Sequence, residues 1–98
     1  MDIHFEKNGV SFVWNARKAK LNTAKHDGIT FEQAAAAFFD PFLTLVEAGY
    51  QGEARDAVIG YDESGRLLFV VHIELENEYI RIISARKATV TEREHYDF

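Results

Sequence analysis

The order of hydrophobic patterns along this chain predicts an α+β domain. It comprises an N-terminal β-hairpin, two helices, a four-strand mostly antiparallel sheet and a C-terminal helix. Three observations carry that expectation. An Asn-Gly pair separates two alternating segments near the start. Between residues 15 and 40 the apolar spacing changes to the helical period. Beyond residue 42 short apolar runs divided by polar turns take over, until a helix-capping signal appears at Thr89. Ninety-eight residues, 47% of them hydrophobic and 13 aromatic, suit one domain with one modest core, so residues 1–98 are read as a single domain.

In IHFEK-NG-VSFVW the Asn8-Gly9 pair is a strong two-residue hairpin signal. It sets Phe5 opposite Phe12 and Ile3 opposite Trp14, with all four on one side of the ribbon. Asn15 is placed to cap a helix over about 16–26, on which Lys18, Asn22 and Lys25 share a face at i, i+4 and i+7. The segment DGIT breaks that helix. Thr30 and Gln33 form a capping box, with Ile29 and Ala34 as its hydrophobic staple. Phe31, Ala34, Ala35, Phe38 and Phe39 then give one apolar stripe, which Asp40-Pro41 ends.

Strands are expected near 43–47, 56–61, 67–75 and 79–86, with a polar connection around 52–56 and a turn at 62–65. Thr89 with Glu92 repeats the capping-box pattern and opens the last helix. Alternation puts Phe69, Val71, Ile73 and Leu75 on one face of their strand and Val70, His72, Glu74 and Glu76 on the other. If Ile80 and Ile82 join the first face through a two-residue loop, Arg81 falls beside His72 and Glu74. Arg86 has the opposite parity to Arg81 and joins the same site only if a bulge, or the bend where the strand turns into the helix, re-aims it.

The formal net charge is −5, which argues against broad nucleic-acid affinity. The charge is uneven, however. Residues 1–40 hold five acids and five bases, residues 41–80 eight acids against Arg55 and Arg66, and residues 81–98 three acids and four bases. A local positive patch is compatible with that distribution. There is no Cys and no apolar run of membrane-spanning length, and the N-terminus is polar, so a cytoplasmic location is expected, with no signal peptide and no membrane contact. The histidines and acids show no metal-ligand spacing beyond His72-x-Glu74, so neither metal nor cofactor is expected.

The segments FVWNARKAKLNTAKHDGITFEQAAAAFFD (12–40), Arg55, Ile59-Gly60, GRLLFVV (65–71) and RIISARKATVTEREHY (81–96) together resemble the BrnT family, the ribonuclease toxins of bacterial type II toxin–antitoxin pairs. The resemblance runs from about Phe12 to Tyr96. Departures are Trp14-Asn15 where the family usually has WD, Asp27 after Lys25-His26 where KHG is usual, and a segment before Arg55 without His.

The resemblance implies a RelE-like fold and metal-independent RNA cleavage that inhibits translation. It also implies neutralisation by a cognate BrnA-like antitoxin, operator DNA contacted only through that antitoxin, and a homodimer or a toxin–antitoxin heterotetramer. Attack of a 2′-hydroxyl on its phosphate needs a base, an acid and cations for the developing charge. The candidates are Glu74, His72 and His26 for the proton, and Arg81, Arg86 and Lys25 for the phosphate. Lys18, Arg55 and Arg66 are candidates for holding RNA. Each also has a plainer reading: His72 and Glu74 as salt-bridging strand residues, Lys25 and His26 as helix-end cations, Arg86 as a clasp at the strand end, Arg55 and Arg66 as turn residues. A catalytically weak relative that serves as a protein-binding or regulatory domain is the alternative function.

Overall fold

A computed structural model describes residues 1–49, 52 and 54–96. Among them, six strands form one mixed sheet: β1 (Asp2–Lys7), β2 (Val10–Asn15), β3 (Thr44–Glu47), β4 (Asp56–Tyr61), β5 (Leu67–Glu74) and β6 (Tyr79–Lys87). The helices are α1 (Ala16–Lys25), α2 (Phe31–Ala36) continued by a 3₁₀ turn at Ala37–Phe39, and α3 (Val90–His95). Glu53, in the connection expected around 52–56, lies outside the described residues.

The hairpin forms as its Asn-Gly pair requires. Asn8 and Gly9 take φ of 51° and 80°, the left-handed pair of a type I′ turn, and Phe5 meets Phe12 while Ile3 meets Trp14. All three cap signals are realised. Asn15 accepts from the Lys18 amide at 3.0 Å, and both Thr30–Gln33 and Thr89–Glu92 close reciprocal capping boxes.

The expected four-strand, mostly antiparallel sheet is corrected to a six-strand mixed one by the strand order β1-β2-β6-β5-β4-β3. The hairpin adds to the sheet because β2 runs parallel to β6, with Ser11, Phe12 and Val13 opposite Tyr79, Ile80 and Arg81. Phe12, Val13 and Trp14 are consecutive and all buried, which suits a strand flanked on both edges and covered on both faces.

The main core lies between one sheet face and the helices. Phe12, Trp14, Val58, Leu68, Val70, Ile82 and Ala85 pack there against Ile29, Phe31, Ala34, Ala35 and Ala37. The run of alanines lets the helix approach closely: a Cβ on Gly60 would stand 2.6 Å from the Ala37 carbonyl oxygen. On the other face Ile59 and Leu67 make a smaller cluster with Tyr96 beyond α3.

The expected register of β5 and β6 is also corrected. Glu76, Asn77 and Glu78 form a three-residue loop closed by the Leu75 amide on the Tyr79 carbonyl at 2.8 Å, with Glu78 at φ 65°. Glu74 then faces Ile80, His72 faces Ile82, and Ile73 faces Arg81. The isoleucines share the core face with His72, so Arg81 lies on the opposite face from His72 and Glu74. The physical reason is that burial could be satisfied from either face of β5. Leu68 and Val70 pack under the helices and take His72 in with them.

Candidate functional site

The bulge condition on the two arginines is met. A register shift between Val71 and His72 leaves Val71 opposite Ser84 and Phe69 opposite Arg86. By alternation Arg81, Ser84 and Arg86 all belong to the sheet face away from the main core.

Past the end of the β2 pairing, α1 comes down beside the edge of β6. Lys18, Leu21, Asn22, Lys25 and His26 from the helix and Ile83 and Ser84 from the strand line an open groove of about 170 Å³. Asn22 makes this junction. Its Oδ1 accepts from the Ala85 amide at 3.0 Å, and its Nδ2 donates to the Ala85 carbonyl at 2.9 Å and the Ile29 carbonyl at 3.2 Å. Pairing between β2 and β6 reaches only to Val13–Arg81, so the buried Asn22 carboxamide supplies a backbone-like partner to the Ala85 edge beyond it.

Lys18 and Lys25 lie one turn to either side of Asn22 and are exposed. His26 ends the helix, its amide bonded to the Asn22 carbonyl at 2.8 Å and its own carbonyl accepting from the Ile29 amide at 3.0 Å. Two residues of left-handed backbone, Asp27 at φ 54° and Gly28 at φ 72°, then turn the chain away and leave the half-buried imidazole at the groove. Lys25 sits in the last turn, where the helix dipole favours a cation. The groove thus joins two ammonium groups, an imidazole and a hydroxyl, with no acidic side chain among its lining residues.

The arginines differ in their ties. Arg86 donates to both carboxylate oxygens of Glu92 at 2.7 and 2.8 Å and to the Lys87 carbonyl at 3.2 Å, and lies 4.5 Å over the Phe69 ring. That describes a clasp between β6 and α3. The Glu92 carboxyl works against partial burial, yet the Arg86 guanidinium and the Thr89 amide hold it below its ordinary range. Arg81 reaches over β2 to Asp2 of β1, with Nη2–Oδ2 2.9 Å and Nη1–Oδ1 3.4 Å, on a more open surface.

The remaining candidates are not brought to the groove. His72 is 1% exposed, its ring 4.8 Å from that of Phe38 and its Nδ1 3.3 Å from the Val70 carbonyl. Glu74 is exposed at the end of β5 beside Leu75, Glu78, Tyr79 and Ile80. Arg66 is tied into the 62–65 turn by Asp62, Nε–Oδ2 2.9 Å. Arg55 flanks Asp56 and Glu47 at the far side of the sheet, beyond β4. A larger hollow of about 350 Å³ opens at Asp40, Tyr61, Asp62 and Glu63, with Lys7 at its rim. Three carboxylates against one ammonium make it unsuited to a phosphate. Among the described residues no three His, Asp or Glu side chains are grouped to hold a metal ion, and no helix is long and apolar enough to cross a membrane.

Ser84, Ile83 and Leu21 had not been singled out in the sequence. The bulge, which parity alone cannot show, turns Ser84 and both arginines to one side of β6.

No curated protein matches the chain. The family model described as "Ribonuclease toxin, BrnT, of type II toxin-antitoxin system" matches residues 14–92, a span that begins at Trp14, ends at the Arg86 partner Glu92 and contains the whole groove. The chain therefore belongs to the BrnT family of ribonuclease toxins of type II toxin–antitoxin systems.

Proposed function

We propose that this protein is a metal-independent endoribonuclease whose cleavage site is the groove between α1 and β6. The observation that supports this reading most directly is the convergence of Lys18, Lys25 and His26 on Ser84, on a protein whose net charge is −5. Lys18 and Lys25 offset the charge that grows on phosphorus when the 2′-hydroxyl attacks. His26 exchanges the proton, since an imidazole ring can both accept and donate one. Arg81, on the same sheet face, lies three residues along β6 from Ser84, roughly 10 Å at strand spacing, and binds a neighbouring phosphate. Arg86 keeps α3 in place. His72, Glu74, Arg55 and Arg66 stay outside this site. Cleaved messenger RNA would stop translation, and a cognate antitoxin would neutralise the toxin by covering the groove.

The test is cleavage of a labelled single-stranded RNA in EDTA by wild type, Lys25→Ala and His26→Ala at matched folded fraction. Loss of either positioned group should slow cleavage by about 10²–10³-fold. Unchanged rates in both variants would move the chemistry elsewhere. Failure of the wild type to cleave any RNA or arrest growth on induction would favour a binding-only relative, the reading to which the net negative charge leans.

A further inference from the structure

Arg81 presents its guanidinium as a two-pronged fork, and Asp2 fills it with both carboxylate oxygens, at 2.9 and 3.4 Å. A fork of this kind accepts a carboxylate and a phosphate in the same geometry. Chain order β1-β2-β6 means that Arg81 must extend across β2 to reach Asp2, a span of about two strand spacings, or roughly 9–10 Å. Its guanidinium is thereby drawn across β2 toward the edge strand β1.

The pair is shallow. The two side chains are 30% and 43% exposed, and among the described residues no other side chain or backbone amide donates to the Asp2 carboxylate. Exposed ion pairs contribute a few-fold at most to an equilibrium constant. Arg86–Glu92 differs in its less exposed carboxylate and in its further ties. Glu92 is pinned by its capping box, Arg86 lies over Phe69, and a strand-end carbonyl takes a further bond. Of the two arginines on this face, Arg81 is the one whose carboxylate can be exchanged. Asp2 lies outside the span 14–92 that the family match covers.

We propose that Asp2 is an internal competitor for Arg81: it closes a phosphate subsite beside the groove, and a phosphate of incoming single-stranded RNA displaces it. This rests on the groove being the RNA site. Ligand binding then exchanges one ion pair for another, and Asp2 lowers the affinity of the free protein for RNA. The Arg81 guanidinium holds the Asp2 carboxyl below its ordinary range, so the competitor is charged throughout the neutral range.

The experiment is a double-mutant cycle on the full chain. The probe is a fluorescent RNA oligonucleotide with 2′-O-methyl groups, which binds without being cleaved, in low salt with EDTA. Asp2→Asn should tighten binding about two- to five-fold, the range of one exposed ion pair. Arg81→Ala should weaken it, and Asp2→Asn should then have no effect in the Arg81→Ala background. Melting temperatures monitor folding, and Asp2→Asn should shift them little. Equal tightening in both backgrounds would mean a general charge effect and overturn the competition. So would unchanged binding in Asp2→Asn. Cleavage by wild type with an additive cycle sinks this inference alone. A non-additive cycle without cleavage of natural RNA sinks the nuclease reading and keeps the phosphate subsite. Absence of binding by every variant overturns both.

Discussion

Asn22 gives β6 what a neighbouring strand would give it. One carboxamide satisfies both the amide and the carbonyl of Ala85 and a third group at Ile29, all buried. Asn22→Ala would leave both Ala85 groups without partners, each at about 1–3 kcal/mol, though relaxation and water recover part, while the Ile29 carbonyl keeps the Thr23 hydroxyl at 3.2 Å. The expected loss is about 2–4 kcal/mol of stability, read as a lower urea midpoint. The same substitution should slow RNA cleavage even at matched folded fraction, because Lys18, Lys25 and His26 depend on this contact for their place over Ser84. Lys18 and Asn22 are legible in the sequence as a shared helix face. The identity of Asn22's partner is not, since Ala85 lies 63 residues away and offers only backbone.

Among the elements, α3 depends on two carboxylates. Glu92 holds Arg86, and the Asp40 Oδ2 accepts from the Tyr96 hydroxyl at 2.5 Å and from the Tyr61 amide at 2.8 Å. Burial opposes the Asp40 charge, but bonds from Tyr96, Tyr61 and Phe42 outweigh it and set its pKa below the ordinary 3.8. Glu92 likewise lies below its ordinary 4.5. Groups with depressed folded pKa values contribute stability above the unfolded pKa and lose it as pH falls through the folded one. The melting temperature should therefore hold at neutral pH and fall below about pH 4.5. Glu92→Gln should lower stability by about 1–2 kcal/mol at pH 7 and flatten the acid limb of the melting temperature, as a thermal titration would show.

The close approach of the 3₁₀ turn to β4 sets a second test. Gly60→Ala would drive a methyl into the Ala37 carbonyl, backbone against backbone, at about 1–3 kcal/mol. A Gly60→Ala protein that melts like wild type would mean that the alanine helix can move off the sheet freely.

At the scale of the whole molecule, a net charge of −5 coexists with a groove that has no acidic lining residue. The segregation follows the fold: the groove takes its residues from 18–26 and 83–84, whereas the excess of acids lies in 41–80. Few phosphates can therefore be neutralised at once. With Lys18, Lys25 and Arg81 making about three contacts, the logarithm of RNA affinity should fall with the logarithm of salt at a slope near −2. A much steeper slope, from anisotropy titrations at several salt concentrations, would point to a wider basic surface than this groove.

Local chemistry determined a good deal of this protein from the sequence alone. The Asn8-Gly9 hairpin and its register, the three helix caps, the turn at Asp62 and the span of β4 follow from neighbours a few residues apart, and all are observed. Tertiary structure decided which sheet edge the hairpin joined, which face of β5 went inward and where the bulge fell. Val71 and Ile73 are as apolar as Leu68 and Val70, so alternation offered two acceptable burials of that strand. The choice came from the long-range fit of Leu68 and Val70 beneath the alanine helix, which carried His72 into the core. It left Arg81 on the open face, and the one-residue bulge at Ile83 brought Ser84 and Arg86 onto that face with it.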